Sequence, residues 1–193
     1  MPLDIVILGP PGAGKGTQAK LIAKDAAIPH VATGDMLRAA IANGTDLGRK
    51  VREVYDLGEL VSDELMIELI RERLAEVDTV NGFVLDGFPR TVPQAEALDR
   101  MLEEIDRSLS VALHFQVPDE LAVERLHVRA MQEGRSDDTP EVIKHRLEIF
   151  HRDTEPVTEY YRALGILVGI HADRTIEDVF AEVQQVLQAA STR

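Results

Sequence analysis

The chain of 193 residues contains no cysteine. Disulfides, thiolate catalysis and cysteine-ligated zinc are thereby excluded, and nothing in the composition points to an oxidising compartment. Long apolar runs are missing as well: no stretch approaches the ~18 residues of a membrane-spanning helix. The first residues are neither basic nor followed by a signal-type apolar segment, because Asp4 and a glycine–proline turn intervene. The expectation is a cytoplasmic protein without a membrane partner. Positive charge is scarce too, with 21 Lys and Arg against 34 Asp and Glu and a formal net charge of −13. General nucleic-acid binding, which needs a basic face to neutralise phosphates, is disfavoured. A small phosphorylated ligand is not, because a few clustered arginines outvote a negative total locally. Of the 21 basic residues 16 are Arg, a bias suited to forked recognition of carboxylate or phosphate.

What is present reads as one α/β domain spanning residues 1–193, long enough to bury a sizeable core. Asp4-Ile5-Val6-Ile7-Leu8 is a short apolar run of the kind buried on both faces of a parallel sheet. A loop, Gly9 to Gly14, separates it from a helix over Lys15 to Ala26. Further strand cores are expected at Phe83 to Leu85, Val111 to Val117 and Ile166 to Ile170. Helices are expected over Ser62 to Ala75, Val92 to Ile105, Asp119 to Met131, Thr139 to Leu164 and Ile176 to Ala189. The Thr139–Leu164 helix should start with Thr139 as its cap and Pro140 in its first turn, and kink at Pro156. Strands alternating with helices imply βαβ units and a mostly parallel sheet. Two stretches depart from that alternation: residues 34–61, read as two short helices around Asn43-Gly44-Thr45, and the polar loop 130–138.

Gly9-x4-Gly14-Lys15-Gly16-Thr17 nearly matches the phosphate-loop pattern GxxxxGK[ST], with a glycine after the lysine and the threonine one place late. Glycines allow backbone N–H groups to turn inward around phosphates, and the helix start adds more. The displaced threonine implies a magnesium ion held by phosphates and water. Asp86, at the carboxyl end of the Phe83–Leu85 run, would anchor it through that water. Arg125 and Arg129 are four apart on one helix face, Arg135 lies in the polar loop, and Arg146 follows in the next helix. Four guanidiniums around one centre suit phosphoryl transfer. No nucleophilic triad, metalloprotease-type helix or carboxylate pair is evident, which fits an acceptor that is already an anion. His114, on an alternating strand, reads as a half-buried structural residue.

At this point the motifs GPPGAGKGTQ (9–18), ATGDMLR (32–38), GELVSDEL (58–65), LDGFPRTVPQ (85–94), RLHVRA (125–130) and GRSDD (134–138) resemble the successive motifs of adenylate kinases, from first strand to last helix. The resemblance implies a P-loop kinase fold with a five-stranded parallel sheet, and Mg-dependent transfer between ATP and AMP to give ADP, in a monomer. It also implies an AMP-binding excursion over 32–61 and a short lid over 128–138. Position by position, Gly12, Ala13, Gly14, Lys15, Gly16 and Thr17 would cradle ATP, with Arg125 and Arg129. Thr33, Gly34, Arg38, Glu59, Leu60, Val61, Gly87, Phe88, Pro89, Arg90, Gln94, Arg135 and Arg146 would hold AMP, Gln94 through its base. Arg129, Arg135 and Arg146 would surround the migrating phosphoryl, with Asp137 and Asp138 orienting the lid arginines. Lys15, Asp86, Arg90 and Arg125 complete the expected catalytic set. The lid lacks the longer insertion, and with it the zinc site, of some members. The turn His171 to Ile176 departs from the family's usual Asp-Gly pattern, and the resemblance implies a backbone contact to the ATP base near Arg174. Gly34, Gly58 and Gly134 are placed at bending points. Two rivals stand beside this reading: a nucleoside monophosphate kinase with another acceptor or donor base, and a nucleotide sensor that transfers nothing.

Overall fold

The computed structural model describes residues 2–133 and 139–190. Strands β1 (Leu3–Leu8), β2 (His30–Ala32), β3 (Gly82–Asp86), β4 (Val111–Gln116) and β5 (Leu167–His171) form a single parallel sheet in the order β2–β3–β1–β4–β5. The central strand is dictated by its composition. On β1, Val6 and Leu8 enter one core and Ile5 and Ile7 the other, all buried. On β3, Phe83 and Leu85 oppose Val84 in the same way. Strands apolar on both faces must be covered twice. Helices α1 (Lys15–Ala26) and α9 (Ile176–Ala190) cover one face. The other is covered by α4 (Asp63–Leu74), α5 (Val92–Glu103) and α8 (Glu155–Ala163).

The chain leaves β1 and β3, which are neighbours, towards opposite faces of the sheet, through α1 and α5 respectively. A crevice opens between such strands at their carboxyl ends, the usual ligand position in an open parallel sheet. Gly9 to Gly14 and Asp86 to Arg90 are the two loops at that crevice. At the opposite end of the sheet Asp4 is buried, and Arg107 Nε donates to its Oδ2 at 2.9 Å while Arg107 Nη1 donates to the Thr79 carbonyl at 3.1 Å. Burial pushes the Asp4 carboxyl up from its ordinary value, and Arg107 works against that.

The excursion between β2 and α4 consists of α2 (Thr33–Ala42) and α3 (Asp46–Asp56), capped by the Thr45 hydroxyl, which accepts from Gly48 N at 3.0 Å. The other departure from the alternation is flanked by α6 (Asp119–Glu133) and α7 (Pro140–Ile149). As the sequence predicts, Thr139 caps α7, its hydroxyl accepting from Val142 N at 3.3 Å, and Pro140 stands in the first turn. His114 is half-buried on β4, and burial holds its pKa below the ordinary imidazole range.

Two expectations need correction. The single helix from Thr139 to Leu164 is three pieces: α7, a widened π-helical turn over Phe150–Thr154, and α8. The disturbance precedes Pro156 because its ring crowds the carbonyl four residues back and supplies no N–H. Glu155 N–H accordingly donates to the Phe150 carbonyl, five residues back. The short strand β2 is absent from the sequence expectation, since His30-Val31-Ala32 contains only one fully buried apolar residue. Its pairing to β3 makes it a strand, with His30 opposite Val84 and Ala32 opposite Asp86.

Candidate active site

The glycine-rich loop joins β1 to α1 as a tight turn, with Ala13 N–H donating to the Pro10 carbonyl at 3.2 Å. Lys15 opens α1, half-buried at the floor of an open cleft of about 1450 Å³. Its Nζ donates to the carbonyls of Gly9 at 2.8 Å and Pro10 at 2.7 Å, so the ammonium is held over the loop it serves. Burial, reinforced by the charges of Arg90, Arg146 and Arg129 and opposed by Asp86, pushes the Lys15 pKa down to about 8. Gln18, buried one turn later, fixes α1 to the start of α9 through Nε2 donating to the Ile176 carbonyl at 2.9 Å.

Asp86 ends β3 beside the loop, its Oδ2 facing Gly16. Burial alone would raise its pKa. The neighbouring His30 imidazole, 3.5 Å from Oδ2 through Nε2, and the charges of Lys15 and Arg90 outweigh that and hold the carboxyl below its ordinary range. His30 is a site residue that sequence reasoning missed, and its only sequence signal is a polar side chain opening a three-residue strand just before the Ala32-Thr33-Gly34 motif.

All nine residues expected around ATP line the large cleft: Gly12 to Thr17, Arg125, Arg129 and Arg174. Arg125 does so with Nη1 donating to the Ala172 carbonyl at 2.8 Å, which ties α6 to the turn after β5. Arg174 lies on that same turn, its Nε donating to the His171 carbonyl at 3.2 Å and its guanidinium paired with Glu182. Arg135, Asp137, Asp138 and Gly134 lie outside the described residues.

A second, smaller cavity opens beside the first, walled by α2, α3, α4 and the turn after β3. Of the residues expected around AMP, Thr33, Gly34, Arg38, Glu59, Leu60, Val61, Gly87, Arg90, Gln94 and Arg146 line it. Leu37, Tyr55, Gly58 and Met66 line it as well and were not anticipated. Phe88 is instead buried in the core of that face, and its peptide bond to Pro89 is cis. Arg38 Nη1 donates to the Tyr55 hydroxyl at 2.6 Å, and its guanidinium pairs with Asp35. Gly58 is a point of contact: a Cβ there would lie 2.8 Å from Val142 Cγ1 and 2.9 Å from Arg146 Cγ. The excursion is thereby seated against α7, where Glu59 Oε1 also lies 2.7 Å from His145 Nε2.

Gly34, Arg38, Gly87, Arg90 and Arg146 line both cavities. Arg90 is aimed by its own turn, with Nε donating to the Gly87 carbonyl at 2.9 Å. A loop built for a polyphosphate, with a second arginine-walled cavity opening into the same space, belongs to a phosphate-loop phosphotransferase rather than to a simple nucleotide binder.

Comparison with known proteins narrows this further. The model of the family described as adenylate kinase matches residues 7–166. The chain is 43% identical to an adenylate kinase of Lachnospira eligens, over 96% of this chain and 100% of that relative. It is 48% identical to one of Leptospira biflexa, over 91% and 94%, and 46% identical to one of Cyanothece sp., over 95% and 94%. The chain belongs to the adenylate kinase family, and its reaction is that family's reversible phosphoryl transfer, ATP + AMP = 2 ADP.

Proposed function

We propose that the large cleft takes the donor, Mg-ATP, that the smaller cavity takes AMP, and that the phosphoryl group crosses where Arg90 and Arg146 border both. The observation that carries this assignment is the sharing of those two arginines between the cavities. A sensor would need only the loop and Asp86. A second cavity walled by Arg38, Arg90 and Arg146 is superfluous for sensing and necessary for holding a second polyanion in line. The proposal includes residues 32–61 as the excursion that brings AMP to the donor and 128–138 as a short lid. It extends, as the family resemblance implies, to a monomer working in the cytoplasm.

The acceptor needs no general base, since a nucleotide monophosphate is already ionised at neutral pH. Lys15, Arg90, Arg129 and Arg146 instead match charge that spreads over the equatorial oxygens of the moving group. Arg125, braced on the Ala172 carbonyl, flanks the donor base together with the Arg174 turn. Thr33, Glu59, Leu60, Val61 and Gln94 surround the AMP base, with Arg38 on its phosphate. The donor set fits magnesium: Asp86 offers hard carboxylate oxygens kept ionised by Lys15, Arg90 and His30. Bound with ATP, the ion would neutralise charge across the β- and γ-phosphates, with Asp86 anchoring it through water. Closure of excursion and lid would keep water from the γ-phosphate until AMP is in place.

Incubating the protein with Mg-ADP alone tests the assignment. AMP and ATP appearing in equal amounts, followed by phosphorus NMR, require two adenine nucleotide sites on one chain. Retained ATP binding without conversion would overturn it, and a preference for CMP or UMP over AMP would reassign the smaller cavity.

The depressed Lys15 pKa carries its own expectation. Polyphosphate favours the charged ammonium, so the bound value lies above the free value of about 8. Nucleotide binding should therefore take up a proton near that pH. ATP affinity should fall as pH rises above about 8, by at most about tenfold per pH unit. Calorimetric titrations in buffers of different ionisation enthalpy measure both, and Lys15→Arg, which does not titrate in this range, should remove the dependence.

A further inference from the structure

We infer that Asp63 is a positioning residue that sets the base specificity of the smaller cavity by locking the orientation of the Gln94 amide. The inference rests on the proposal that Gln94 meets the acceptor base. Gln94 is buried yet lines the cavity, and both ends of its amide are already engaged. Its Oε1 accepts from the Arg90 backbone N–H at 2.7 Å, and its Nε2 donates to Asp63 Oδ1 at 2.7 Å. These partners are chemically one-way: a backbone N–H only donates, and a carboxylate only accepts. Turning the amide over would set N–H against N–H at Arg90 and oxygen against carboxylate at Asp63. Asp63 is itself held, because the Thr91 hydroxyl donates to its two oxygens at 3.1 and 3.0 Å. It sits on α4, behind Gln94, and does not line the cavity.

The lock leaves the amide with one spare lone pair on Oε1 and one spare N–H on Nε2. That pair complements an adenine edge, which offers an N6–H donor and an N1 acceptor. A 6-oxopurine offers the reverse, an O6 acceptor and an N1–H donor, and could be met only by the amide orientation that Asp63 and Arg90 forbid. The discrimination is therefore between 6-amino and 6-oxo purine monophosphates, and it is stored in a residue that touches neither.

The test uses AMP and IMP as competing acceptors with ATP as donor, in the wild type, Asp63→Asn, Gln94→Ala and the double variant. Asparagine keeps the shape of Asp63 but can present either a donor or an acceptor to Gln94. Its AMP-to-IMP ratio of kcat/KM should fall by about tenfold or more, chiefly through KM. In the Gln94→Ala background the same change should have no further effect, since Asp63 acts through that amide. The ratio is taken within each preparation, so a loss of folded fraction scales both rates and cancels. A ratio unchanged by Asp63→Asn but lowered by Gln94→Ala overturns the role of Asp63 and leaves Gln94 as a base contact oriented by the Arg90 N–H alone. An equal fall with and without Gln94 also overturns it, by showing that Asp63 acts elsewhere. A ratio untouched by Gln94→Ala removes both the lock and the assignment of the acceptor base to Gln94.

Discussion

Replacing Arg90 with alanine is expected to slow phosphoryl transfer by about 10³-fold or more while ATP binds nearly as before. The guanidinium stands where the two cavities meet, and its charge reaches both Lys15 and Asp86. It is preset by its bond to the Gly87 carbonyl, so little ordering remains for it when substrates arrive. Alanine keeps the backbone N–H that holds Gln94, so the base-reading amide should survive and the loss should fall on the phosphoryl group. The donor loop, with Lys15 and the arginines of α6, is left intact. Two side effects have definite signs. Losing the Arg90 charge should raise the Lys15 pKa, which that charge depresses, and should also raise that of Asp86, which it helps to keep ionised. Single-turnover transfer rates, measured beside ATP titrations, separate chemistry from binding. Transfer within tenfold of the wild type would mean that the junction of the cavities is not where the phosphoryl group moves.

The phosphate loop and Asp86 were legible in the sequence because their chemistry depends on local order: an apolar strand, a run of glycines, a lysine at a helix start, an acid at a strand end. The caps were legible for the same reason, as Thr139 and Pro140 show. Partner choice across the fold was not. That Arg125 would be braced on the Ala172 carbonyl, or Gln94 held by Asp63 from another helix, follows only once α6, β5, α4 and α5 are packed. β2 escaped notice because three residues carry almost no periodicity, and it exists only through its register with β3. With β2 came His30, whose nearness to Asp86 is a consequence of that pairing. The turn at Phe150–Thr154 shows a subtler limit. Proline announced a disturbance, and the chain takes it up in the turn just before it, widened over Phe150–Thr154. The −13 total coexists with a cleft bordered by Lys15, Arg90, Arg129 and Arg146, because clustered cations set the local field whatever the sum.

Gly12→Ala should lower kcat/KM for ATP by about 100-fold or more, because its effect is carried by backbone that cannot turn aside. Gly12 has φ +85, a conformation that costs an alanine about 1–2 kcal/mol by itself. A Cβ there would lie 2.3 Å from the Ala122 carbonyl oxygen, 3.0 Å from its carbon and 3.1 Å from its Cα. Those atoms belong to α6, which also carries Arg125 and Arg129, so relief must come from pushing the helix off the loop or the loop off the helix. Either movement separates the two arginines from the phosphates that the loop holds. Gly14 supplies the control: its φ of +82 is nearly the same, yet among the described residues nothing lies within 4 Å of its Cβ position. In nucleotide-free protein, Gly14→Ala should therefore lose only the conformational part of the stability, and Gly12→Ala distinctly more. Urea unfolding of the two variants measures that difference, and transfer kinetics of Gly12→Ala measure its cost to the site. Equal losses of stability would show that α6 yields to the added methyl at no expense, and that the close approach of Gly12 to Ala122 does not hold the arginine helix in register with the loop.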